Sequence, residues 1–222
     1  MNLYFLVEGR RTEKKVYRSW ISHAFPHLQE VQSVALIQDN NYFILSGNGY
    51  PSYTARIPNA LNDIVNHGKI DYFFICIDSE EFTIDEKREE ILSILRKGPG
   101  FSATYVVIHM CCIESWFLGN RKLCKSIPEG EGLREFRQFY NVVTHDPELM
   151  GRPDSYETKA SFHHDYLREE FKERGLSYSK NNPSCVTEPY YLRELIGRAE
   201  GTNHLQSFRY LISQWRELGA AI

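Results

Sequence analysis

Four acids sit where a chain of alternating strands and helices would aim carboxylates at a ligand. Glu8 follows the apolar run Leu3–Val7, and Asp78 ends the run Asp71–Asp78. Glu80 lies two residues further on, and Glu114 follows Ala103–Met110. Ligands of open α/β sheets bind beyond the carboxyl ends of the strands. If the first strand and the Asp71–Asp78 strand are parallel neighbours ~5 Å apart, Glu8, Asp78 and Glu80 converge within reach of one or two Mg2+ or Mn2+ ions. Clustered carboxylates repel one another, and a bound cation removes that cost. The same cation activates water or stabilises a leaving oxygen in phosphoryl transfer. Acids after strands also occur as solvated loop residues, so the reading rests on two strand ends together.

Other side chains invite chemistry less directly. Arg10, Arg11 and Lys14 surround the start of the first helix, whose free amides suit phosphate, although a solvated basic face is the other reading. Lys180 reads equally as a phosphate contact or a surface lysine. Glu81 is a substitute ligand beside Glu80. Neighbours on a helix point ~100° apart, so His163-His164-Asp165 reads as helix-cap chemistry rather than a metal site. His109-Met110-Cys111-Cys112 suggests Cys/His nucleophilic catalysis, but no orienting partner is visible in the sequence. The five cysteines are odd in number and contain no CxxC pair, which argues against a zinc ribbon or disulfide framework. Cys76, Cys111 and Cys112 are expected to be reduced core residues.

The elements that must position these groups follow from hydrophobic pattern. Leu3–Val7, Asp71–Asp78 and Ala103–Met110 are short apolar runs, as expected of buried parallel strands. Val31–Ile37 reads as a further strand, and Tyr42–Leu45 as an extra one. Helices are expected from Thr12, as N-cap, to Ala24, and over 53–66, 83–97 and 113–123. The loop Gly47-Asn48-Gly49 lacks the Gly-Lys-Ser/Thr ending of a phosphate-cradling loop and reads as a turn bordering the site. Beyond about residue 125 only helices are expected, at 164–175, 190–199 and 204–218. The fold class is therefore α/β, a mostly parallel sheet with helices on both faces plus a C-terminal helical region. The expected domains are 1–125, and 126–222 packed on it.

Composition narrows the function classes. Across 222 residues, 42% are hydrophobic, enough for a sizeable core. The net charge of −3 gives no global field toward nucleic acid. A nuclease needs only local cations and a metal, and so stays open. No apolar run reaches the ~18 residues of a membrane span, and the apolar opening is too short for a secretory leader. The expected compartment is the cytoplasm.

Leu3–Thr12 (LYFLVEGRRT) followed by Ile75–Phe82 (ICIDSEEF) resembles the TOPRIM domain of topoisomerases, primases and overcoming-lysogenization-defect nucleases. The resemblance implies that Glu8 acts as general acid/base and that Asp78 binds Mg2+, with Glu80 in the position of the family's second Asp. The whole chain looks like small bacterial TOPRIM-related proteins of the RloB type, which accompany ATPases in defence islands. VEGRRTEKKVY, Ile113–Leu118 and Tyr178-Ser179-Lys180 with Phe208–Leu211 carry that likeness, and 125–160 are largely uncovered. It implies a nuclease on DNA or RNA, a partner ATPase and a role in phage defence. A non-catalytic sensor or interaction module on a degenerate TOPRIM fold is the alternative.

Overall fold

The computed structural model describes residues 1–222. Its elements are β1 (Leu3–Val7), α1 (Thr12–Ala24), β2 (Gln29–Glu30), β3 (Asn41–Ser46), α2 (Arg56–His67), β4 (Tyr72–Asp78), α3 (Ile84–Leu95) and β5 (Thr104–His109). There follow α4 (Ile113–Phe117), α5 (Glu131–Phe139), α6 (Lys159–Lys172), α7 (Ser184–Thr187), α8 (Pro189–Gly201) and α9 (Gln206–Glu217). The strands form one parallel sheet in the order β2-β3-β1-β4-β5. No helix is long and apolar enough to cross a membrane.

The chain divides into two compact units, one of 1–77, 83–108 and 215–222, the other of 78–82 and 109–214. This differs from the division expected at residue 125. Asp78 and His109, the last residues of β4 and β5, are counted with the second unit.

The first unit holds the sheet. β1 runs parallel to β3 (Leu3 opposite Tyr42) and to β4 (Leu3 opposite Tyr72, Val7 opposite Cys76). Successive side chains of a strand point to opposite faces, which explains the unbroken burial of β1. Tyr4 and Leu6 join Phe73, Ile75 and Ile77 of β4 against Leu61, Ile64 and Ile91 of α2 and α3. On the other face Phe5 stacks on Phe74 at 4.7 Å and meets Tyr17 of α1 and Trp215 of α9 edge-on or tilted. Helices therefore cover both faces, as the runs of apolar residues require. Thr83 and Glu86 close a full capping box on α3.

The second unit is helical. α4 packs its buried Trp116 against Phe208 of α9, with ring centroids 5.2 Å apart. Gly119 follows its end, at a spot where a Cβ would lie 2.7 Å from the Trp116 carbonyl and 2.6 Å from Leu205. The helix expected over 113–123 ends at Phe117.

Three further expectations change. Val31–Ile37 is not a strand: Gln29–Glu30 pair with β3, and Val34–Leu36 form a 3-10 turn. Only Ile37 of that run is fully buried, while Val31 and Val34 lie partly buried against the core. Its β-branched character reflects a covering segment, not a strand in the sheet. Arg11, not Thr12, occupies the N-cap of α1, and Thr12 is buried as its first residue. α5 (Glu131–Phe139) lies where no helix is expected from the sequence, ahead of the one expected at 164–175.

Candidate functional site

Glu8 stands in the first unit, one residue past β1 and only 6% exposed. Its N–H donates to the Cys76 carbonyl at 3.2 Å, continuing the β1–β4 ladder. The loop after β3 then wraps it. Gly47 N–H donates to the Val7 carbonyl, and Gly49 N–H to the Glu8 carbonyl at 3.0 Å. Tyr50 N–H donates to Glu8 Oε1 at 3.1 Å. Asn48 and Gly49 both have φ in the left-handed region, 67° and 84°, which permits the tight turn. Gly47 has its own reason: a Cβ would meet the Tyr53 ring at 2.3 Å, and that ring is fully buried with its hydroxyl on the Leu6 carbonyl. The turn expected to border the site is therefore the device that fixes Glu8.

Lys87 of α3 was not singled out by the sequence. Its side chain is 1% exposed, pairs with Glu90 at 2.8 Å and lies over the Tyr50 ring at 4.2 Å. The cation–π contact ties α3 to the residue whose N–H holds Glu8. Arg10 and Arg11 are exposed in the same unit.

Asp78, Glu80 and Glu114 belong to the second unit, and so does Lys180, which is exposed. Asp78 Oδ1 accepts a 2.6 Å hydrogen bond from Nδ1 of the buried His109. Burial pushes the His109 imidazole down to about 3. Nδ1 donates in either protonation state, because an ionised carboxylate only accepts. His109 thus fixes the orientation of Asp78. Its ring is edge-on to Trp116 at 4.4 Å, so α4 in turn holds the histidine.

Glu80 has φ 55°, and its N–H donates to the Cys111 carbonyl at 2.8 Å. Ser79 Oγ accepts from Cys111 N–H at 2.8 Å. Glu81 turns away to the start of α6, where its carboxylate accepts Lys159 N–H at 2.8 Å and pairs with Lys159 Nζ at 3.3 Å. Slight burial pulls the Glu81 carboxyl up, and the Lys159 contacts outweigh it and hold it below the usual range. Glu114 is 2% exposed and accepts the Tyr178 hydroxyl at 3.0 Å. Tyr178 comes from the Tyr-Ser-Lys segment and Phe208 from α9, so the three separate segments 113–118, 178–180 and 208–211 meet around α4.

A second cluster was missed. Cys111, Cys112 and His163 are buried, and their Sγ, Sγ and ring-nitrogen atoms all lie within 4.8 Å of one another. Contact with Cys112 holds the Cys111 thiol below its usual range, and burial pushes Cys112 well above it. His163 is not a helix cap, because α6 starts at Lys159 with Thr158 as N-cap. Nothing in the local sequence links the two cysteines to a histidine fifty-one residues away. The one readable signal was the unexplained pair of adjacent cysteines after a strand. All five cysteines are free.

The chain matches no protein-family model, no curated protein and no solved structure.

Proposed function

We propose that the protein is a Mg2+-dependent phosphoryl-transfer enzyme, a nuclease acting on DNA or RNA. The observation that carries this reading is the pairing of β1 with β4 as parallel neighbours, each running into an acid at its carboxyl end. The donor set fits the metal, since Asp78 and Glu80 offer the hard carboxylate oxygens that Mg2+ or Mn2+ takes. When bound, the ion supplies charge stabilisation on the phosphoryl group and a more acidic water.

The side chains divide the remaining work. Glu8, held by Tyr50 N–H, acts as general acid/base. His109 holds Asp78 in its ligating orientation. Glu114 is auxiliary, oriented by Tyr178. Arg10, Arg11 and Lys180 contact phosphates along the nucleic acid. The resemblance to TOPRIM proteins supports the same assignment, and it extends the proposal to phage defence and to a partner ATPase; the proposed compartment is the cytoplasm.

The test is incubation of purified protein with plasmid, single-stranded DNA and tRNA, with and without Mg2+ or Mn2+. Cleavage is expected only with metal, and Glu8→Ala and Asp78→Asn are expected to lower it at least ~100-fold. Equal cleavage by wild type and Glu8→Ala removes Glu8 from the reaction. Calorimetry showing no Mg2+ or Mn2+ binding, even with nucleic acid present, supports the non-catalytic reading instead.

A further inference from the structure

Adjacent side chains on an extended backbone point to opposite faces. Cys111 and Cys112 escape this rule because Cys111 has φ 63°, a left-handed conformation that few side chains other than Asn and Asp adopt. The turn brings both sulfurs to one buried point, where His163 of α6 also arrives. A backbone outlier that gathers soft ligand atoms calls for a chemical reason.

We propose that Cys111 Sγ, Cys112 Sγ and His163 Nδ1 form a Zn2+ site, with a water or small anion as fourth ligand. The tautomer is settled by the far side of the ring. His163 Nε2 lies 2.9 Å from the Met150 carbonyl, which can only accept, so Nε2 carries the hydrogen. Nδ1 therefore presents its lone pair toward the cysteines, 3.9 Å from Cys112 Sγ. This is the usual outer support of a ligating histidine, with the other nitrogen donating to a carbonyl. Zn–S bonds of about 2.3 Å and Zn–N bonds of about 2.0–2.1 Å put tetrahedral ligand atoms roughly 3.5–3.8 Å apart. The cluster needs only a small contraction from its 4.8 Å limit.

Two thiolates and an imidazole select Zn2+ over the hard Mg2+. As the two S–Zn bonds form, the thiol protons leave to solvent and no oxidation state changes. The site also has a mechanical consequence. Cys111 N–H donates to Ser79 Oγ and its carbonyl accepts Glu80 N–H, both at 2.8 Å. A metal on Cys111 would pin the backbone that carries Asp78 and Glu80.

The test reads metal, not cleavage, so it stands apart from the nuclease proposal. Full-length protein purified from zinc-supplemented cells without chelator is expected to hold about one zinc per chain by mass spectrometry of the metal. X-ray absorption on that wild-type sample is expected to show two sulfur scatterers at about 2.3 Å. Replacement by Co2+ is expected to give sulfur-to-cobalt charge-transfer absorption. Cys112→Ser and His163→Gln, checked for folding by circular dichroism, are expected to weaken Zn2+ binding more than about 100-fold. Three results overturn the proposal: a wild type that holds no zinc after dialysis against Zn2+, a zinc shell of nitrogen and oxygen alone, or a Cys111–Cys112 disulfide in freshly isolated protein. The X-ray measurement needs no variant, so a misfolded mutant leaves the question decidable.

Discussion

The interior of the first unit is hydrocarbon almost throughout, with Asn2, Glu8, Thr12, Asn41 and Lys87 as its buried polar side chains. The second unit encloses Asp78, His109, Glu114, Glu148, Glu170 and Arg198 among others. Each of these is tied. Glu170 accepts three hydrogen bonds from Arg137, at 2.9–3.0 Å. Glu148 accepts from Trp116 Nε1 and from Ser207 and Phe208. Arg198 reaches the His145 and Gly119 carbonyls. Hydrocarbon packing is non-directional and tolerates exchange of similar volumes. A buried charge depends on one partner in one geometry. The first unit should therefore respond to lost volume and the second to lost partners.

Arg137→Ala is the largest expected effect, about 3–5 kcal/mol of stability, because it strands Glu170 as an uncompensated buried charge. The double change to Met at 137 and Leu at 170 should recover most of it in urea unfolding. A double variant no better than the single one breaks the comparison. Phe74→Ala in the first unit should cost a similar ~3–5 kcal/mol by opening a cavity between Phe5 and Tyr105. Phe5→Leu there removes less volume and should cost less than Phe74→Ala, and an equal loss would show that ring stacking, not volume, governs this core.

Tyr178→Phe keeps the volume and removes one donor from Glu114, with an expected cost of about 1–3 kcal/mol. A double-mutant cycle with Glu114→Gln should show coupling between the two, and strict additivity would deny the tie.

The smallest effect is a pH dependence. Burial first, and the facing Arg198 guanidinium second, hold His204 below its usual range. Its Nδ1 accepts from Arg198 at 3.0 Å, which a protonated ring cannot do. As pH falls, the unfolded chain takes up this proton before the folded one. The contribution is full above about pH 6.5 and is lost as pH falls through the depressed folded value. His204→Gln should make the acid limb of Tm against pH shallower by at most about one proton. An identical limb would remove His204 from the second unit's polar ties.

The same contrast decides what was legible in the sequence. The strands β1, β4 and β5 and both faces of the sheet follow from Leu3–Val7, Asp71–Asp78 and Ala103–Met110, since double-sided burial leaves continuous apolar runs. Val31–Ile37 misled because a covering segment with one buried isoleucine has the same composition as a strand. α5 was hidden by Gly132, whose low helix propensity is outweighed by the buried Leu133 and the Arg137–Glu170 pair. Glu8, Asp78 and Glu114 could be marked because strand ends are visible locally. Their partners Tyr50, His109 and Tyr178 could not, because polar pairing across long chain separations leaves no periodic trace. The Cys111–Cys112–His163 cluster is the extreme case.

Trp215 carries a consequence for how the chain is made. It comes from α9, yet it packs on Phe5, Tyr17 and Phe25 of the first unit, and Ala221 N–H donates to the Ala24 carbonyl beside them. During synthesis β1 and α1 leave the ribosome with this face uncovered, ahead of the helix that supplies Trp215. Contacts so distant along the chain slow folding. A nascent chain that has not yet reached α9 therefore keeps this apolar surface of β1 and α1 exposed, the condition under which chains associate rather than fold.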